Sequence, residues 1–260
     1  MTEKLFIKNR KGESIAVLVD EAEKQEGLAF VMHGLGSWKE RPITEYMAKS
    51  FIENNYTVVR FDATNSFGES YGKIEDATTT NYYEDLEDVI AWARAQKWYQ
   101  EPFVLSGHSL GALCTGLYAE KNPEKIKGWV PVGGAISGKL SLEARPEEGV
   151  LWKQEGYRAL IGWDPKDPDA VYKLPWSHFE DRLKYDLFQK IDKLNMPVCI
   201  IVGERDNSCL PKHQELLYEK LKSSKELHII KDAPHTIKDE KQLQELSEIV
   251  SKWIRNSLML

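Results

Sequence analysis

The chain has 260 residues, and 35 Lys and Arg against 41 Asp and Glu leave a net charge of −6. Its 42% hydrophobic and 29% charged residues fit one large globular domain, with or without an insertion, and exclude a disordered chain. The acidic balance speaks against a nucleic-acid partner, and no apolar run approaches the ~20 residues of a membrane span or a signal-peptide core, so a cytoplasmic protein is expected.

Residues 5–8 and 15–19 read as a hairpin around Asn9-Arg10-Lys11-Gly12, whose glycine can supply a positive φ. The apolar strand 28–32 is followed by His33-Gly34-Leu35-Gly36. Strand 57–61 exits into a turn-rich stretch in which Asp62 is expected to fix loop hydrogen bonds. Residues 82–95 place Leu86, Val89, Ile90 and Ala93 on one helical face. Strand 103–105 then leads through Ser106-Gly107-His108-Ser109-Leu110-Gly111 into a helix over 110–120, and strand 129–132 follows. Strands 198–202 and 227–230 and a final helix over 241–253 complete the series. Most of these strands are apolar throughout, as strands covered on both faces must be. An antiparallel start followed by βαβ units predicts an α/β architecture with a mostly parallel eight-stranded sheet and helices on both faces.

One interval breaks the rhythm. Val132 and Val198 stand 66 positions apart, whereas a helix and two loops need about 25. The surplus, residues 134–179, is rich in Gly, Pro and aromatics, among them Trp152, Trp163, Trp176 and Phe179. It reads as a cap inserted over one end of the sheet, with 1–133 and 180–260 forming the core. A long surface excursion packed by its own aromatics is the alternative. Cys114, Cys199 and Cys209 form no CxxC pair, so neither a disulfide framework nor a zinc site is expected, and Cys114 and Cys199 fall in apolar, buried stretches. No phosphate-cradling glycine loop or metal-spaced cluster appears, so no cofactor is implied.

Gly107-x-Ser109-x-Gly111 between a strand and a helix has the form of a nucleophile elbow. Small residues two before and two after the serine let strand and helix approach, and the helix N-terminus favours negative charge developing at Ser109. A serine hydroxyl needs a neutral imidazole to take its proton. Of the six histidines, only His235, in Asp232-Ala-Pro-His235, lies in a loop directly after a late strand and ahead of the last helix. His213 is expected on the surface and His33 to be structural. The acid that orients the imidazole should follow strand 198–202, where Asp206 is the choice and Glu204 the alternative. The two N–H groups that would bind an oxyanion are those of Leu110, after the nucleophile, and Leu35, in the glycine loop.

With those residues in place, the sequence resembles the α/β-hydrolase superfamily along essentially its whole length, and within it the small bacterial cinnamoyl (feruloyl) esterases and monoacylglycerol-lipase-like proteins. The resemblance rests on His33-Gly34 with Lys39-Glu40, Phe61-Asp62 through Gly68-Glu69-Ser70-Tyr71-Gly72-Lys73, Gly107-His108-Ser109-Leu110-Gly111, Gly203-x-x-Asp206 and Pro234-His235. It implies Ser109, Asp206 and His235 as a catalytic triad, Leu35 and Leu110 as oxyanion donors, and a lid after the sixth strand. Asn65-Ser66 and Ala112 depart from the glycines usual in the group. The expected function is a serine hydrolase of small-molecule carboxylic esters with medium-sized apolar or aromatic acyl groups. A thioesterase, lipase or peptidase with the same triad, and a non-catalytic binding protein on this fold, are the rivals. A homodimer is left open.

Overall fold

The computed structural model, which describes residues 1–259, opens with the expected hairpin: β1 (Thr2–Lys8) pairs antiparallel with β2 (Ser14–Asp20). The chain then lays down β3 (Gly27–Met32), β4 (Tyr56–Phe61), β5 (Phe103–His108) and β6 (Ile126–Val132). A separate two-stranded sheet of β7 (Tyr157–Ile161) and β8 (Val171–Pro175) precedes β9 (Val198–Gly203) and β10 (Lys225–Ile230). The main sheet has eight strands in the order β1-β2-β4-β3-β5-β6-β9-β10. β2 runs antiparallel to both its neighbours, β1 and β4, and from β4 to β10 all pairings are parallel.

The apolar strands are buried on both sides because each feeds two separate cores. In β3, Leu28, Phe30 and Met32 point into one layer while Ala29 and Val31 point into the other. β9 divides in the same way, Val198 and Ile200 against Cys199 and Ile201. One layer is closed by α1 (Pro42–Ile52), which the periodicity reading did not single out, and α8 (Glu240–Ser257). The other is closed by α2 (Thr79–Ala93) and α3 (Leu110–Lys121), joined by Leu217 of α7 (Pro211–Lys220). Burying each such Leu, Ile or Phe contributes roughly 1.5–3 kcal/mol. Thr78 starts α2 by accepting the Asn81 N–H, and Asp239 starts α8 by accepting those of Lys241 and Gln242. His213, expected on the surface, is buried on α7 with Nε2 3.6 Å from Glu143 Oε1. Of its polar neighbours, Lys212 and Glu215 are exposed, whereas Gln214 is buried beside it.

Between β6 and β9 lie α4 (Gly138–Ala144), α5 (Pro146–Glu155), the β7–β8 ribbon and α6 (Trp176–Arg182). Helix α6 runs through position 179 and ends at Arg182. The segment has a small core of its own: the Trp152 ring stacks on His178 at 5.9 Å, Trp176 on Phe179 at 5.2 Å, and Trp152 Nε1 donates to Leu174 O at 2.9 Å. It is pinned to α2 by Asp181, which accepts from the Thr80 N–H and hydroxyl at 2.8 and 2.7 Å. No helix among the described residues is long and apolar enough to cross a membrane.

Candidate active site

β3, β4, β5, β6, β9 and β10 all point their carboxyl ends toward the same edge of the main sheet, and the residues singled out by sequence converge there. Ser109 lies between β5 and α3 with φ 54° and ψ −116°, a conformation that costs a residue with a side chain about 1–3 kcal/mol. The surroundings hold it there. Its N–H donates to Val132 O, and its carbonyl accepts from the N–H groups of Ala112 and Ala135, all at 3.0 Å. The flanking glycines have a steric reason as well. A Cβ at position 107 would fall 2.4 Å from the Gly111 carbonyl carbon, and one at 111 would fall 2.5 Å from His33 O.

A continuous hydrogen-bonded chain starts from that serine. His235 Nε2 lies 2.9 Å from Ser109 Oγ, and His235 Nδ1 lies 2.7 Å from Asp206 Oδ2. The other carboxylate oxygen of Asp206 accepts from the N–H groups of Ser208 and Cys209, both at 2.8 Å. Asp206 is buried at 3% exposure, so its charge faces the imidazole in a low-dielectric setting. Because a carboxylate only accepts, the proton sits on Nδ1, leaving Nε2 bare toward the serine hydroxyl. Glu204 does not join the chain. Its carboxylate accepts the Asp232 N–H at 2.9 Å from the exposed side of the His235 loop. A further requirement escaped the sequence reading: a Cβ on Gly133 would come within 3.0 Å of Asp206 Oδ2 and 3.4 Å of His235 Nδ1.

The glycine loop after β3 lies directly against Ser109, since a Cβ on Gly34 would meet Ser109 Cβ at 3.0 Å. His33 is fully buried; its Nδ1–H donates to Gly34 O at 2.7 Å, and its Nε2 accepts the Ala63 N–H at 3.0 Å. Both ring nitrogens are thereby committed, and burial lowers its pKa, so it remains a neutral brace. The Gly34–Leu35 peptide is thus held by its carbonyl, and a planar trans peptide turns the Leu35 N–H the opposite way. Leu35 lines the cavity over Ser109, and Leu110 is the first residue of α3. Among the described residues, neither of these N–H groups has a backbone acceptor.

Asp62 holds the far end of the same loop, as a loop-fixing residue should. It accepts from Lys39 N at 2.7 Å, Lys39 Nζ at 2.9 Å and Glu69 N at 2.9 Å. Burial pulls the Lys39 pKa down, but Asp62 with Glu69 and Glu40 outweighs it and raises the value to about 12. Asn65 takes φ 60° and uses Oδ1 to accept the Lys73 N–H at 3.1 Å, so the departure from glycine there is met by a residue that tolerates the left-handed region.

His108 is a second neutral brace that sequence reasoning left unassigned. Its Nε2–H donates to His235 O at 3.0 Å, and the two rings lie 4.9 Å apart. Burial, followed by the neighbouring His235, pushes its pKa down to about 3. It therefore positions the His235 loop without adding charge.

Above Ser109 opens a cavity of about 590 Å³. Leu35, Trp152, Trp163 and Phe179 supply apolar wall, the last three from the 134–179 segment. Arg41, Arg145, Arg158, Arg182 and Lys238 supply cationic wall. The aromatics were visible as a compositional excess, but the arginines are scattered through the chain and carry no spacing signal. Among the described residues no group of His, Cys, Asp and Glu is arranged to hold a metal ion.

Comparison with known proteins agrees with this architecture. The family model described as "Serine aminopeptidase, S33" matches residues 23–176, more than half of the chain. A second model, that of the PhoPQ-activated pathogenicity-related protein, matches residues 173–259. No curated protein matches the sequence. Among solved structures, Est1E from Butyrivibrio proteoclasticus with ferulic acid bound superposes with a TM-score of 0.83 at 20% identity, covering 98% of this chain and 100% of that one. A putative hydrolase from Agrobacterium vitis gives 0.80 at 20% identity, with 99% of each chain covered. Mouse alpha/beta hydrolase domain-containing protein 10 gives 0.78 at 17% identity, covering 97% and 98%. At such identities these likenesses establish the fold. The chain is an α/β-hydrolase and belongs to the family described as serine aminopeptidase, S33.

Proposed function

We propose that this α/β-hydrolase is a serine esterase that cleaves carboxylic esters of small molecules through an acyl-enzyme, with Ser109, His235 and Asp206 as its catalytic residues. The observation that most supports this is the chain of contacts at 2.9 and 2.7 Å from Ser109 Oγ through the His235 ring to the buried Asp206 carboxylate. In the first half-reaction His235 Nε2 takes the Ser109 proton as Oγ bonds to the ester carbonyl carbon. The oxygen of the tetrahedral intermediate binds the N–H groups of Leu35 and Leu110, with the N-terminus of α3 adding its field. The imidazolium, stabilised by Asp206, returns its proton to the leaving alcohol as the ester C–O bond breaks. In the second half, Nε2 deprotonates a water that attacks the acyl-enzyme, and Ser109 Oγ leaves with that proton.

The segment 134–179 serves as the cap, with its boundary carried to Arg182 by α6. Its Trp152, Trp163 and Phe179 face the space above Ser109, and a medium-sized apolar or aromatic acyl group would lie against them. The family's description points to an aminopeptidase, but an α-ammonium group is repelled by a wall of four arginines and a lysine. Ester hydrolysis is therefore the reading preferred for this chain. The test is Ser109→Ala, which should lower p-nitrophenyl ester turnover by roughly 10³–10⁶-fold with thermal unfolding unchanged. Undiminished hydrolysis by the folded variant would refute the assignment.

A further inference from the structure

The cavity wall carries a charge that the protein as a whole does not. The chain has a net charge of −6, yet five cationic side chains line the space above Ser109 and, among the described residues, no Asp or Glu does. Like charges gathered around one low-dielectric cavity repel one another, and such a set is favourable when a counter-charge joins it. The protein supplies only part of that counter-charge. Glu148 serves two of the arginines, with Oε1 2.7 Å from Arg158 Nη1 and Oε2 3.2 Å from Arg145 Nη1. Arg158 is further accounted for by its place over the Trp152 and Trp163 rings, at 5.9 and 5.6 Å. Arg145 is held by Asn207 O and Oδ1 at 3.2 and 3.0 Å and by Ser208 Oγ. Packing and fixed hydrogen bonds explain these two.

They do not explain Arg182. Among the described residues no carboxylate lies within salt-bridge distance of it. Its Nη2 donates to His178 Nε2 at 2.8 Å, and His178 Nδ1–H is committed to Ala77 O at 2.7 Å. Burial pushes the His178 pKa to about 3, so its ring is a neutral tether and no counter-ion. Arg182 Nε is buried without a partner, although the guanidinium lies over the Phe179 ring at 5.7 Å. Burial lowers the Arg182 pKa only to about 10, so it stays cationic at neutral pH. A desolvated guanidinium held in place by a neutral imidazole is costly until an anion reaches it. Arg41, from the loop ahead of α1, shares one of these features: it lies over the Trp38 ring at 5.1 Å, and no carboxylate neutralises it among the described residues.

We infer that the ester hydrolysed at Ser109 carries a carboxylate remote from the scissile bond, and that Arg182 binds it with the other cavity arginines as support. This inference rests on the esterase reading and refines its substrate class. The planar guanidinium fork suits a carboxylate better than a spherical anion. The carboxylate can reside in the acyl part or in the leaving alcohol, and two pairs of esters separate these cases. Mono-p-nitrophenyl glutarate is compared with its neutral methyl ester for the acyl side, and 4-acetoxybenzoate with its methyl ester for the alcohol side.

In one of the two pairs the charged ester should show a kcat/KM higher by about 10- to 100-fold, the value of a hydrogen bond to a charged group. Arg182→Gln should bring that ratio close to one, and Arg182→Lys should retain part of it. A second readout needs no turnover: glutarate should bind Ser109→Ala in calorimetry and bind more weakly when Arg182→Gln is added. Neutral esters equal to or better than charged ones in both pairs, or a charged-ester preference that survives Arg182→Gln, would overturn the inference. Should Arg182→Gln fail to fold, Arg41→Gln and glutarate binding to Ser109→Ala decide the matter, and absence of glutarate binding counts against it. Hydrolysis persisting in Ser109→Ala would instead sink the esterase reading, leaving glutarate binding to report on the anion site separately.

Discussion

The floor and the roof of the cavity are built by opposite means. On the floor the groups that set the geometry around Ser109 are tied within the chain: Asp206 accepts three hydrogen bonds, His33 uses both ring nitrogens, and the Ser109 backbone is tied at both ends, while His108 Nδ1 and the N–H groups of Leu35 and Leu110 stay open. The roof is made of aromatics, of which Trp152 and Phe179 are buried and Trp163 half-buried, and of cations, two of which share a single carboxylate and one of which has an unpartnered nitrogen. A floor tied in this way is rigid and preorganised toward one geometry, as a transition state demands. A roof with open hydrogen-bonding capacity is preorganised toward something not in the chain. On the proposed function, reaction type would belong to the floor and substrate choice to the roof.

If that division holds, floor substitutions should act on kcat and roof substitutions on KM. The largest floor effect short of the nucleophile is expected at Asp206. Asp206→Asn leaves the shape intact but favours the wrong imidazole tautomer, and should lower kcat by about 10⁴-fold. Glu204→Gln, which touches only the Asp232 N–H, should stay within about threefold. A larger loss at Glu204 would reverse their roles. The next effect is at His33. His33→Ala frees the Gly34 carbonyl and with it the Leu35 N–H, and should cost about 10- to 100-fold in kcat with little change in KM. His33→Gln, which can both donate and accept, should restore part of that loss. A purely structural role would lower the melting temperature without this split between kcat and KM.

The smallest effect is expected on the roof. Trp163→Ala should raise KM for aromatic p-nitrophenyl esters by about tenfold, the value of one lost apolar contact surface, with kcat nearly unchanged. An equal fall in kcat and kcat/KM would erase the distinction between floor and roof.

The same contrast explains what could be read from the chain. Gly107-x-Ser109-x-Gly111 is legible because the contact it permits is local: strand and helix are covalently joined, and spacing alone encodes their approach. Asp206 and His235 are legible because a parallel sheet puts every post-strand loop at one edge. The sequence favours Asp206 but keeps Glu204 as the alternative, since the two are separated only by how the loop curls after Gly203; in the structure the carboxylate at His235 Nδ1 is that of Asp206. Gly133 stayed hidden because its constraint is spatial, against residues 206 and 235. Arg41, Arg145, Arg158 and Arg182 converge from a loop and three cap positions, and nothing in their sequence spacing marks a shared wall. His213 misled for a simpler reason, since polar neighbours along a helix report little about the face a given residue occupies.

The central claim, that Ser109 is a nucleophile activated by His235, is tested most directly by a fluorophosphonate. Incubated with the folded protein, it should add one phosphonyl group per chain, mapped by peptide mass to Ser109, and ester turnover should fall in step with labelling. His235→Ala should label far more slowly. Modification of another serine, or full ester turnover in protein whose Ser109 is completely labelled, would contradict the account.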